Sequence, residues 1–175
     1  VATFLVSVGL LAGCSSVQRT PAAGSGALGD RLSTMDDVVS WIRDTAGECA
    51  DVVSHPSGDL SGFSGPDIAA RYAPFVTEWI TCAVSPEFPK VGVLLFAGDN
   101  QRKFQESWRD AMTDGELADG PSLAFGNGFA VSSGSLGTST LGLYYFRCDY
   151  HDPQVRQVPS DVSGCVFAHP EHGHH

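Results

Sequence analysis

A chain of 175 residues with 10 basic and 20 acidic side chains carries a formal net charge of −10. That balance excludes a grip on nucleic acid or on anionic lipid headgroups, since both need clustered Lys and Arg. The length suits one folded domain rather than two.

Residues 1–13 carry no charge. The run is shorter than the about 20 apolar residues a helix needs to span a bilayer. It reads as the apolar part of a signal peptide with small residues at its end. Leu11, Ala12, Gly13 and Cys14, followed by Ser15 and Ser16, resemble the lipobox of bacterial lipoproteins. The resemblance covers this export segment alone, and no Lys or Arg precedes Arg19, although signal peptides open on a basic region. It implies that Cys14 becomes the N-terminal residue after cleavage, with its thiol alkylated by diacylglycerol. The domain is then held by acyl chains on the extracytoplasmic face of a cell membrane. Arg outnumbers Lys and Ala, Gly and Val are frequent, so the chain is similar in style and layout to small lipoproteins of actinobacteria.

Residues 14–32 are rich in Ser, Ala and Gly, the composition of a flexible spacer behind the lipidated end. A single domain is expected over 33–168. Thr34 and Asp37 form a capping-box arrangement, and Met35, Val38, Val39, Ile42 and Ala46 follow at helical spacing up to Gly47. His55 to Gly65 is dense in Ser, Gly, Asp and Pro and reads as loop. Pro66 opens a short helix that Pro74 ends. Strand character runs from Val76 to Val84 and again from Val91 to Ala97, the second being apolar enough to be buried on both faces. Asp99 or Asn100 caps the next helix, whose Phe104, Trp108, Ala111 and Met112 share one face and which Gly115 closes.

Leu123–Phe125 and Phe129–Ser132 flank Gly126, Asn127 and Gly128, a hairpin signal. A last strand is expected from Leu141 to Cys148, and Asp149 to Gly164 reads as irregular. The order predicts an α+β fold in which two main helices cover one face of an antiparallel sheet of about five strands.

Apart from Cys14 there are four cysteines, Cys49, Cys82, Cys148 and Cys165. An even count in an exported domain reads as two disulfides. Three pairings are possible and sequence alone does not choose among them. Joining Cys49 to Cys82 and Cys148 to Cys165 ties neighbouring segments, each loop contributing roughly 3 to 4 kcal/mol in the chain-entropy model. The alternative of a zinc site lacks any C-x-x-C.

No Gly-x-Ser-x-Gly elbow, His-Glu-x-x-His, phosphate loop or dinucleotide fingerprint is present. The ending HPEHGHH places His169, Glu171, His172, His174 and His175 where they can hold a borderline divalent metal, against the plainer reading of a solvated tail over 169–175. Asp149, His151, Asp152 and Asp161 form a second constellation, a proton shuttle or metal site on one reading and an Asp-stabilised turn on the other. His55, before Pro56, reads as a loop residue. Among the aromatics, Phe104 and Trp108 belong to the core, whereas Trp41 and one of Tyr144 and Tyr145 are candidates for an exposed binding surface.

These features predict a binding or interaction module with no cofactor rather than an enzyme. Its partners would be the membrane through Cys14, then another envelope protein or a small ligand. A hydrolase built around His151 and a metal-binding lipoprotein using the tail are the alternatives.

Overall fold

The computed structural model describes residues 25–132 and 135–170. Within them lies one antiparallel sheet of eight strands, with four α-helices. In chain order these are α1 (Met35–Ala46), β1 (Ala50–His55), α2 (Leu60–Ser64), α3 (Pro66–Tyr72), β2 (Glu78–Ala83), β3 (Val91–Leu95), α4 (Asn100–Thr113), β4 (Ala124–Phe125), β5 (Phe129–Val131), β6 (Tyr144–Cys148), β7 (Arg156–Pro159) and β8 (Cys165–His169). The strands lie in the order β1-β2-β3-β5-β4-β6-β8-β7.

The α+β class is as expected, but the sheet has eight strands instead of about five, and its helices cover both faces rather than one. Alternation along the strands shows how. Ile80, Cys82, Val93, Leu95, Phe129 and Val131 pack with Met35, Val38 and Ile42 of α1. Their neighbours Trp79, Leu94, Phe96, Phe125 and Ala130 pack with Leu60 of α2, Tyr72 of α3, and Phe104 and Trp108 of α4. Successive strand side chains point to opposite faces, so β3, buried at all five positions, needs a helix layer on each side.

The ends of α1 follow the sequence closely. Thr34 Oγ1 accepts from the Asp37 N–H at 3.2 Å, and the Gly47 N–H, at φ 87°, closes the helix on the Arg43 carbonyl. At α4 the capping expectation changes. Asp99 occupies the N-cap position without a side-chain bond to the helix N–H groups; its carboxylate pairs instead with Lys103 at 2.9 Å and Arg102 at 3.3 Å. The lysine's hydrogen bond draws the Asp99 carboxyl below its usual range.

Both disulfides take the shortest-loop pairing. Cys49–Cys82 anchors the start of β1 to β2 on the α1 face, and Cys148–Cys165 joins residues directly opposite each other on β6 and β8, with Cα atoms 3.9 Å apart.

Other segments differ from expectation. Residues 28–32, expected in the spacer, cross the β4–β5 turn: the Leu32 N–H donates to the Asn127 carbonyl at 3.0 Å, and Arg31 donates to the Phe96 and Gly98 carbonyls. The stretch from His55 to Gly65, expected as loop, contains α2. Asp149 to Gly164, expected as irregular, contains β7, an edge strand paired only with β8.

Candidate functional site

A cleft with a volume of about 310 Å³ lies between α2–α3 and the sheet, on the α4 face. Its walls are Leu60 and Phe63 of α2, Ile68 of α3, Leu94 of β3 and Leu123 before β4. Leu60, Leu94 and Leu123 are buried, while Phe63 and Ile68 are half-buried.

Four hydroxyls interrupt this apolar lining: Ser64, Tyr72, Ser122 and Ser132. Among the described residues no charged side chain lines it. Ser64 donates to the Leu60 carbonyl at 3.0 Å. Ser132 Oγ accepts from the Gly92 N–H at 2.9 Å, so its own O–H is left for another acceptor. Burial pushes the Tyr72 phenol up to about 12, opposed by a backbone hydrogen bond at Ser122. It stays a neutral hydroxyl through the physiological range.

Local sequence explains the shape. Gly65, at φ 84°, separates the five-residue α2 from α3, and Pro66 starts α3 in the first-turn position it tolerates. Phe63 lies against β3 because position 92 is glycine: a Cβ there would stand 2.5 Å from Phe63 Cε1. The ring also meets Trp79 at 5.5 Å between centroids and has the Lys90 ammonium 5.8 Å from its centre.

The residues singled out from sequence lie elsewhere. Cys14, Glu171, His172, His174 and His175 lie outside the described residues. His169 is the last residue of β8, not part of a tail: its Nδ1 lies 2.8 Å from the Leu143 carbonyl oxygen and its ring packs on Tyr144. The Asp149 cluster does not converge. His151 Nδ1 lies 3.3 Å from the Asp149 carbonyl, Asp152 accepts from the Gln154 N–H as a turn residue, and Asp161 is held by Gln105 of α4. Among the described residues no three His, Cys, Asp or Glu side chains come together as a metal site.

His55 belongs to β1, where its ring stacks on Trp79 at 4.3 Å and Nε2 meets Thr81 Oγ1 at 2.9 Å. Trp41 is half-buried against Phe129 and borders a second cavity, of about 270 Å³, beneath residues 28–32. Tyr144 is buried, whereas Tyr145 is half-buried under the Arg147 guanidinium. The expected alternation of the two tyrosines holds, but neither tyrosine nor Trp41 lines the main cleft.

Sequence reasoning missed this cleft because its walls come from a segment rich in Ser and Gly. Leu60 and Phe63, three residues apart within that segment, were the available signal.

No protein-family model, curated protein or solved structure matches the chain. Among the described residues no helix is long and apolar enough to cross a membrane.

Proposed function

We propose that the protein is a lipid-anchored, extracytoplasmic binding module of a bacterial membrane. The observation that carries this reading is the sequence Leu11-Ala12-Gly13-Cys14 at the end of an uncharged apolar run. Two disulfides in one small domain suit an oxidising compartment. A cleft whose described lining holds hydroxyls but no charged group suits recognition of a small ligand better than acid–base chemistry, which needs groups titrating near the working pH.

The test is expression of the full chain in a bacterial host fed an alkyne analogue of palmitate. The parent chain is expected to take up the label and sediment with membranes, and Cys14→Ala to do neither. Equal labelling of the two forms, or none in either, removes the lipoprotein reading.

A further inference from the structure

We propose that the cleft between α2–α3 and the sheet binds an uncharged amphiphile, an apolar body bearing one hydroxyl or carbonyl, with Phe63 seated on Gly92 as one wall. This inference rests on the reading of the chain as a binding module and names the ligand class.

The volume of about 310 Å³ stands at the lower end of the roughly 300–1,000 Å³ of small-molecule sites, so the ligand is small. Leu60, Ile68, Leu94 and Leu123 offer it no polar partner, hence the apolar body. Among the described residues none that lines the cleft is charged, and this sets the ligand's charge: a carboxylate entering here would lose water without a cation in the lining, the Lys90 ammonium lying on the Phe63 ring, 5.8 Å from its centre. The Ser132 O–H, with Oγ already accepting from Gly92, remains to donate to an oxygen on the ligand.

The place of that wall has a specific cause. Phe63 belongs to a five-residue helix whose C-terminal neighbour, Gly65, has φ 84°. The ring's resting place depends on the missing Cβ at Gly92. A methyl group there must displace Phe63 and crowd Ser132 Oγ, which would lie 3.3 Å from the new atom. Gly92→Ala therefore alters the cleft through its wall. Ile68→Glu is an independent variant, since it places a carboxylate at the half-buried edge of the same cleft.

Calorimetric titration of the full chain with 1-octanol and with octanoate tests the proposal. Saturable octanol binding at least tenfold tighter than octanoate is expected. Gly92→Ala and Ile68→Glu are each expected to weaken octanol at least fivefold while melting within a few degrees of the parent. If Gly92→Ala does not fold, Ile68→Glu alone decides. Absence of saturable octanol binding, equal affinity for octanoate, or unchanged affinity in the folded variants would overturn the ligand class. Palmitate labelling at Cys14 read on the same preparations separates the two failures: label without octanol binding removes this inference alone, and octanol binding without label removes the anchor alone.

Discussion

Gln105 and Asp161 are joined twice. The Gln105 amide donates from Nε2 to Asp161 Oδ2 at 2.9 Å, and its Oε1 accepts from the Asp161 N–H at 3.0 Å. Gln105 is fully buried, and one turn earlier on the same face of α4 the buried Gln101 does the equivalent for the β4–β5 turn. Its Nε2 donates to the Gly126 carbonyl and its Oε1 accepts from the Gly128 N–H. Two glutamines four residues apart thus let α4 hold two loops by their polar groups, where an apolar face would offer those groups no hydrogen bond.

Replacing Gln105 by Met keeps the volume and removes both bonds, one of them to a carboxylate. The expected loss is about 2 kcal/mol, read as a lower urea midpoint with an unchanged slope. A midpoint equal to that of the parent would show that the pair contributes nothing to stability.

Gly128 carries a different constraint. It has φ 94°, and a Cβ on it would come within 2.3 Å of the Leu32 carbonyl oxygen. Gly128→Ala therefore combines left-handed strain of about 1–2 kcal/mol with expulsion of residues 28–32 from the turn. Gly142→Ala, at φ 63° with open space around it, incurs the strain alone. Hydrogen exchange is expected to show faster exchange of the Leu32 amide in Gly128→Ala only. Equal behaviour of the two variants would mean that the segment is not held by this contact.

Much of the frame is legible in the sequence. Helix α1 announces itself through Thr34, Asp37 and Gly47, α4 through its apolar stripe, and the hairpin through Asn127-Gly128, because these signals are local. The edge strands were not legible. Strand β1 is uncovered along most of its length, so it shows no apolar alternation, and Arg156–Pro159 of β7 is polar for the same reason. Helix coverage of both faces could have been inferred: Val91–Leu95 holds no polar side chain, which leaves no face for solvent, and all five residues are buried. The cleft required tertiary structure, since Leu60, Leu94 and Leu123 come together only once the sheet forms and α2 packs on it.

The two disulfides differ in access. Cys49 and Cys82 are each 1% exposed, whereas Cys148 is half-buried at the sheet surface. Thiol attack needs access to a sulfur, so mild reductant on the folded chain is expected to open Cys148–Cys165 first. Closing loops of 33 and 17 residues, the bonds contribute about 4 and about 3 kcal/mol in the chain-entropy model. Timed alkylation followed by peptide mapping reads the order, and opening of Cys49–Cys82 first would contradict it.

Among the described residues, Val52 and Val53 are the large hydrophobic side chains left exposed, at 41% and 50%, and both sit on the edge strand β1. An apolar edge with unpaired backbone groups invites association. Val53→Lys is expected to lower the weight-average mass of the chain at high concentration in sedimentation equilibrium. Its stability should stay within about 0.5 kcal/mol of the parent, as for most surface changes. The same mass for both forms would show that the bulge at Asp51–Val52 already shields the edge.

Alkaline pH should act through Tyr72. Its phenol is raised by burial from 10.0 to about 12, so between those values the unfolded chain releases a proton that the folded chain retains. The stability present below pH 10 is therefore lost as pH rises toward 12, by roughly 1 kcal/mol at pH 11. Partial burial, with Asp152 nearby, raises the Tyr150 phenol as well, so the informative quantity is the difference between the parent and Tyr72→Phe. That variant keeps the ring that meets Phe104 and Trp108. Urea midpoints at pH 8.5 and pH 11 are expected to fall less for Tyr72→Phe than for the parent. Parallel falls would place the alkaline sensitivity on other groups and leave the buried phenol without a role in it.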